Sequence, residues 1–244
     1  MRNRTRNAFT LIELLVVIAI IALLISIVIP ALRMAKNSAK DIMCLNHLNQ
    51  IGKGMTAYAF DYDQHIPKNG GTSHSVNIFW MLGFAPYVGE HYETFKDFTE
   101  SEIFSCPRYP DREQIVDYII SSWGRKLDGS DEADATTKLT DFANPGSKIY
   151  ITDYASKIYI DNNGVERTRS DAVVRIIRNE VELEDFRANL DQHYPVNLPS
   201  SADKSLWRVS GERHKKDGCN ALFYDGHADW VHQDKHVPQA YVIH

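Results

Sequence analysis

Residues 9–29 form an unbroken apolar run, apart from Thr10, Glu13 and Ser26. At 1.5 Å per residue the run makes a helix of about 31 Å, the thickness of a bilayer core. Beyond Pro30 the pattern stays helical but becomes amphipathic. Cys44, Leu48, Ile51, Met55, Tyr58 and Tyr62 recur at alternating steps of four and three, which marks one helix face. Lys36, Asp41, Asn46, Asn49, Gln50 and Lys53 fall on the other faces. The pattern predicts one helix from residue 9 to about 60, roughly 78 Å long. Pro30 is expected to bend it, and Gly52 and Gly54 to weaken it. The apolar stripe predicts where a globular head packs.

The head reads as short elements between loops. Residues 61–75 are loop, rich in Asp, Asn, Gly and Ser and containing Pro67, with Asp61 and Asp63 at the helix exit. Residues 78–89 predict a short apolar helix stopped by Pro86 and Gly89. Residues 148–153 and 173–177 predict strands, and residues 185–205 a loop. Asn163-Gly164 signals a hairpin. At the C-terminal end, residues 220–224 and 227–231 flank Asp225-Gly226, which predicts a two-residue turn. In that register Tyr224 faces His227, Phe223 faces Ala228 and Ala221 faces Trp230. Ala221, Phe223, Ala228 and Trp230 then share an apolar face. The fold class expected is α+β: a long N-terminal transmembrane helix packed on an antiparallel sheet.

Length and charge narrow the reading. The 244 residues suffice for one membrane segment and one sizeable core. The formal net charge is −5. Loss of residues 1–8 would remove three arginines and no acid, leaving the chain more acidic. Such a balance argues against nucleic acid as a partner, because phosphate binding needs clustered Lys and Arg. A cleavable signal peptide would have a shorter apolar stretch and a small-residue cut after it. A plain signal anchor would explain the length and the flanking Arg2, Arg4 and Arg6, but not Glu13. A carboxylate within a span costs on the order of 2.5–3.5 kcal/mol and therefore calls for a partner. The positive flank predicts a cytoplasmic N-terminus and an exported head.

The basic leader, Ala8, the sequence Phe9-Thr10-Leu11-Ile12-Glu13 and the apolar run to Pro30 together resemble the N-terminus of type IV pilin-like proteins, the prepilins and pseudopilins. The continuation to Tyr62, including residues 44–52, resembles a subgroup that ends in a motif of His, nine residues, then Asp-Gly. His214 and Asp225-Gly226 are its counterparts here, with ten residues between them. Trp80, Pro86-Tyr87 and Cys106-Pro107 resemble the same subgroup. The resemblance implies a leader (1–8), a membrane and methylation segment (9–30), an extended helix (31–62) and an exported head (63–244). It further implies cleavage between Ala8 and Phe9 by a prepilin peptidase, N-methylation of Phe9, and an inner-membrane location with a single span. Assembly would follow, with other pilin-like subunits on an inner-membrane platform. Glu13 would pair with the α-amino group of a neighbour's Phe9 and fix the register. No enzymatic activity and no cofactor are implied.

The remaining candidates carry two readings each. Cys44 and Cys106 form a disulfide from the helix stripe to the head, or remain two buried thiols; Cys219 is left over, and no cysteine pair has zinc-finger spacing. His214, Asp217, Asp225, His227 and Asp229 make either an exposed hydrogen-bonded turn, the preferred reading, or an acid–base or metal cluster. Asp128, Asp131 and Asp134 lie in an acidic loop that reads first as solvated. Some pseudopilins hold calcium in such a loop, and no other metal is expected. The runner-up function is an exported binding domain for glycan or peptide, or an enzymatic domain, that uses the N-terminus only for sorting. Trp123, Tyr150, Tyr154 and Tyr159 would serve it if they stacked beside acids, and would not if they were buried.

Overall fold

The computed structural model describes residues 10–66, 79–92, 97, 100–109, 117–120, 138–156, 158–161, 163–169, 209–210, 213–215 and 217–236. Helix α1 spans Leu11–Asp61 and continues through Pro30. The chain divides into two compact units, Met1–Lys40 and Asp41–His244. In the first, the apolar side chains of α1 are exposed, from Leu11 to Met34. Among the described residues α1 is the one helix long and apolar enough to cross a membrane, and its most apolar stretch is unburied.

The second unit takes the last turns of α1 into its core. Cys44, Leu48, Ile51, Gly52, Gly54, Met55 and Ala59 are buried, so the face predicted from the period of four and three is the packed face up to Met55. Tyr58 is half-buried and Tyr62 exposed, because the chain leaves the helix after Asp61. The exit is a turn in which Asp63 and Gln64 both take positive φ, and Lys138 holds Asp63 at 3.1 Å. Helix α2, Phe79–Phe84, passes directly into a 3-10 turn, Ala85–Val88. Pro86 sits inside that turn rather than ending it; Gly89, at φ 84°, is the stop.

Among the described residues six strands follow: β1 Tyr118–Ile120, β2 Ile149–Asp153, β3 Ile158–Ile160, β4 Glu166–Thr168, β5 Gly218–Phe223 and β6 Ala228–His232. β1, β2, β5 and β6 form an antiparallel sheet in the order β1-β2-β5-β6, and β3-β4 is a separate hairpin. The β3-β4 turn forms at Asn163-Gly164 as expected. Asp161 Oδ1 accepts the N–H of both Asn163 and Val165 at 2.9 Å, which fixes the turn. β1 has no counterpart in the expected elements. The expected strand at 173–177 lies outside the described residues, as does the loop at 185–205.

The C-terminal hairpin differs from the expected register. Leu222 pairs with Ala228, Ala221 with Asp229 and Asn220 with Trp230. Phe223 N–H donates to His227 O and Gly226 N–H to Phe223 O, so three residues, Tyr224, Asp225 and Gly226, make the turn. Gly226 takes φ 89°, the left-handed position of a three-residue hairpin. The extra turn residue moves every pair by one. Ala221, Phe223 and Val231 pack with Ile149 on one side of the sheet. Leu222, Tyr224 and Ala228 join the main core, so the predicted four-residue apolar face does not form.

The main core contains a chain of aromatic rings. Tyr58 meets Phe84 edge-on at 5.6 Å, Phe84 meets Tyr150 at 6.3 Å, Tyr150 meets Tyr224 at 5.1 Å, and Tyr224 stacks on Phe142 at 4.3 Å. Beside it, α1 and the C-terminal turn approach backbone to backbone. A Cβ at Gly52 would lie 2.3 Å from Gly226 O and 2.7 Å from Leu222 Cδ1. Backbone cannot yield as a flexible side chain does. Gly52→Ala is therefore expected to destabilise the second unit by about 2 kcal/mol, within the range for overpacking. Alanine at the neighbouring exposed Lys53 should change stability by less than about 0.5 kcal/mol. Urea unfolding of the two variants tests this, and equal midpoints would contradict the close approach.

Candidate functional site

Among the described residues two places carry chemistry. At the start of α1, Glu13 Oε2 accepts from Thr10 N–H and from Thr10 Oγ1–H, each at 2.8 Å. Thr10 Oγ1 in turn accepts from Glu13 N–H at 3.2 Å. This is a reciprocal capping box: Thr10 is the cap residue, and Glu13 lies three positions on. The sequence predicts a partner for Glu13, and the nearest one is in its own first turn. Ala8 and Phe9 lie outside the described residues.

The second place is a buried polar cluster in the second unit. Cys44 and Cys106 are brought together as a disulfide pair, with Cα atoms 5.2 Å apart. Cys44 comes from α1, one turn beyond Asp41; Cys106 comes from residues 101–109, where Asp117 Oδ2 accepts its N–H at 2.8 Å. Asp153, the last residue of β2, faces both. Its Oδ1 lies 3.8 Å from Cys44 Sγ and accepts Arg213 Nη1–H at 3.2 Å. Its Oδ2 accepts the Asn220 N–H at 2.8 Å and lies 3.2 Å from His214 Nε2. His214 Nε2 is 3.6 Å from Cys106 Sγ, and its Nδ1 is 2.7 Å from Asp41 Oδ1. Arg108 Nε completes the surround at 2.9 Å from Asp41 Oδ1.

Arg213 is held through both of its terminal nitrogens. It stacks over the Tyr109 ring at 4.4 Å and donates to the carbonyl oxygens of Asp117 and Tyr154. Asp153 is wholly buried, which alone would raise its pKa. The charges of His214 and Arg213, with the hydrogen bonds from His214 and Asn220, outweigh burial and hold the carboxyl below the ordinary 3.8. Cys219, a free thiol, lies on the other side of Asn220. It is 3.2 Å from both Thr152 Oγ1 and His236 Nε2, and burial followed by the charge of Asp153 pushes its pKa far up. Such a thiol is inert rather than nucleophilic.

The placement revises the expected turn cluster. Asp225 and His227 do form an exposed pair at the hairpin tip, and His232 lies near Asp217 and Asp234. His214 is not part of it. It is fully buried and bonded to α1 and β2, because the bridge from His214 N–H to Gly218 O turns it inward. Its relation to Asp225-Gly226 is thus through the backbone of β5 and not through a shared site. Tyr150 and Tyr154 are buried in the core, and Arg169 covers the Tyr159 ring. Trp123 and the acidic loop with Asp128, Asp131 and Asp134 lie outside the described residues. Asp41, Asp153 and Arg213 had no local sequence signal, since they meet from segments over 50 residues apart.

The chain thus presents a membrane-type helix that continues into an α+β head. Residues 3–29 match the prokaryotic N-terminal methylation motif. The chain is also 42% identical over 62 residues to the type IV wide pilus major component PilA4 of Thermus thermophilus. That match covers 25% of this chain and 47% of PilA4, so the chain spans about half the length of this curated relative. No solved structure matches. Over its N-terminal segment the chain is thus similar to type IV pilins, and helix and motif are consistent with membrane anchoring.

Buried titratable groups give this fold a pH dependence. His236 is fully buried, and burial lowers its pKa from 6.5 to about 4. The unfolded chain therefore protonates this ring first as pH falls. Stability is unaffected by it above pH 6.5 and declines between pH 6.5 and about 4, by about 3 kcal/mol in all. In His236→Gln, urea midpoints measured at pH 7, 5.5 and 4.5 should fall less steeply than in the parent. An unchanged slope would refute the assignment.

Proposed function

We propose that this protein is a structural subunit, processed by a prepilin peptidase and assembled with other pilin-like subunits into a filament. The observation that carries the reading is the methylation motif on an apolar helix whose side chains are exposed among the described residues. Exposed over more than six turns, those side chains need lipid or like helices around them. Lipid holds the precursor in the inner membrane by a single span, with its N-terminus cytoplasmic and its head exported. The assembly platform then transfers it to a bundle of like helices. The similarity to PilA4 favours a pilus-like filament, and a type II secretion pseudopilus is the related alternative. The head's buried aromatics and inert thiol support a structural rather than a catalytic role.

The role of Glu13 separates into two parts. Glu13→Gln keeps a capping-box partner but removes the charge, whereas Glu13→Ala removes both. If charge pairing with Phe9 of a neighbour guides assembly, both variants should insert and be cleaved normally, and both should lose most filament incorporation. If capping alone matters, Glu13→Gln should assemble as the parent does. Co-expression with a prepilin peptidase, mass analysis of the N-terminus and recovery of sheared filaments provide the readouts. A parent chain left uncut before Phe9, or lacking the methyl group there, would overturn the proposed processing.

A further inference from the structure

The four groups around the Cys44–Cys106 bridge suggest a second chemical state of the same cluster. One donor atom from each of Cys44, Cys106, Asp153 and His214 lies within 4.8 Å of all the others, and all four residues are buried. Tetrahedral zinc takes sulfur at about 2.3 Å and nitrogen or oxygen at about 2.0–2.2 Å, which places neighbouring donors roughly 3.3–3.8 Å apart. Two of the contacts have that spacing: Cys106 Sγ to His214 Nε2 at 3.6 Å and Cys44 Sγ to Asp153 Oδ1 at 3.8 Å. His214 Nε2 lies closer, at 3.2 Å, to the other carboxylate oxygen, Asp153 Oδ2. The sulfur pair is far closer, because it is bonded. Breaking that bond and opening the pair from about 2.05 Å to about 3.7 Å needs each sulfur to move on the order of an ångström.

We propose that the dithiol form of this chain binds one Zn²⁺ through Cys44, Cys106, Asp153 and His214. Cysteines are made as thiols, so this form precedes the disulfide. Binding displaces the two thiol protons, and the two thiolates cancel the charge of the ion. The Nε2 proton that His214 shares with Asp153 leaves to solvent as well, and Asp153 keeps its partner Arg213. The surrounding groups suit the ion. The Nδ1 of His214 is engaged by Asp41, so Nε2 is the nitrogen that faces Cys106 and Asp153 and would ligate. Asp153 is fixed by the Asn220 N–H and by Arg213. Outer partners of this kind orient metal ligands. With four protein ligands and no solvent access the site is of the closed, structural type. The ligands come from four separate segments, so no local spacing could announce it. Later oxidation by a disulfide-bearing oxidant takes two electrons from the two sulfurs. The oxidant takes up two protons from water and becomes two thiols, the ion is released, and the covalent bridge joins the same two segments.

The test uses the full chain in detergent. A phosphine reductant and water convert the disulfide to two thiols, the phosphine becoming its oxide. After removal of free metal, Zn²⁺ is added and bound zinc is measured by elemental analysis of the protein peak. The reduced chain is expected to hold one equivalent and the oxidised chain none. Co²⁺ should give the visible bands of a tetrahedral ion and a thiolate charge-transfer band. Cys106→Ser should weaken binding by about 100-fold or more, and Asp41→Asn, which only positions His214, by about 10–100-fold. If reduction unfolds the chain, recovery of far-UV dichroism on adding Zn²⁺ supports the site, and failure to recover overturns it. A folded, reduced chain that takes up no zinc also overturns it, as does zinc retained by Cys106→Ser but lost in Cys219→Ser.

Discussion

The carboxylate of Asp153 is the point on which the head depends. It is wholly buried and terminates β2, yet it reaches three other segments. Through the Asn220 N–H it ties β2 to β5; through Arg213 it reaches Tyr109 and the Tyr154 carbonyl; through His214 it reaches Asp41 on α1. A buried ion leaves water at a cost of several kcal/mol, and only excellent geometry with full hydrogen bonding returns it. Every partner here is therefore constrained by the others. An apolar contact of the same size would tolerate sliding between α1 and the sheet. A network of directed bonds does not, since a displaced partner leaves a bare charge. The buried ions thus specify one seating of α1 on the sheet, and aromatic and aliphatic side chains fill the core around them.

The same helix meets two environments, and its sequence divides accordingly. Up to Pro30 the side chains are exposed and overwhelmingly apolar, residues 31–39 are exposed and mixed, and from Asp41 a single face is buried. Pro30 falls inside the helix without ending it. Proline removes one hydrogen bond, and the flanking turns carry the helix past the gap. Within the head, small residues on α1 allow the close approach: Gly52 admits the Gly226 carbonyl, and Gly54 admits Val88. Glycine in a helix is unfavourable by propensity, so these two positions reflect packing rather than local preference.

Periodicity made the long elements legible. The run of residues 9–29 and the stripe from Cys44 to Met55 each repeat one signal over several turns, and the described part of the run, from Leu11, and the stripe both appear as read. Lys148–Asp153 and the Asn163-Gly164 turn were also legible, because a short apolar run and a turn dipeptide are local features. The C-terminal hairpin was legible as a hairpin but not in register. Asp-Gly fits both a two-residue turn and the end of a three-residue one, and one residue of difference exchanges the faces of the strand. Of the buried cluster, the two cysteines were marked by their residue type alone. Asp41, Asp153, Arg213 and the inward turn of His214 are products of tertiary contact, and no spacing along the chain records them.

Glu13 gains a different meaning once its first-turn bonds are known. A carboxylate carried bare into the apolar span would need rescue, and any cation in a helix bundle would supply it. Here Glu13 already accepts two hydrogen bonds from Thr10 and returns one through its own N–H. The capping box contributes about 1 kcal/mol and offsets part of the insertion cost. Under the proposed assembly, a neighbour's amino group must therefore improve on an existing arrangement rather than rescue a charge left alone. Exchange of partners is a smaller and more reversible driving force than neutralisation. That suits a subunit that first resides in lipid and afterwards in a bundle, since a carboxylate with partners in both places can make the transfer without being stranded in either.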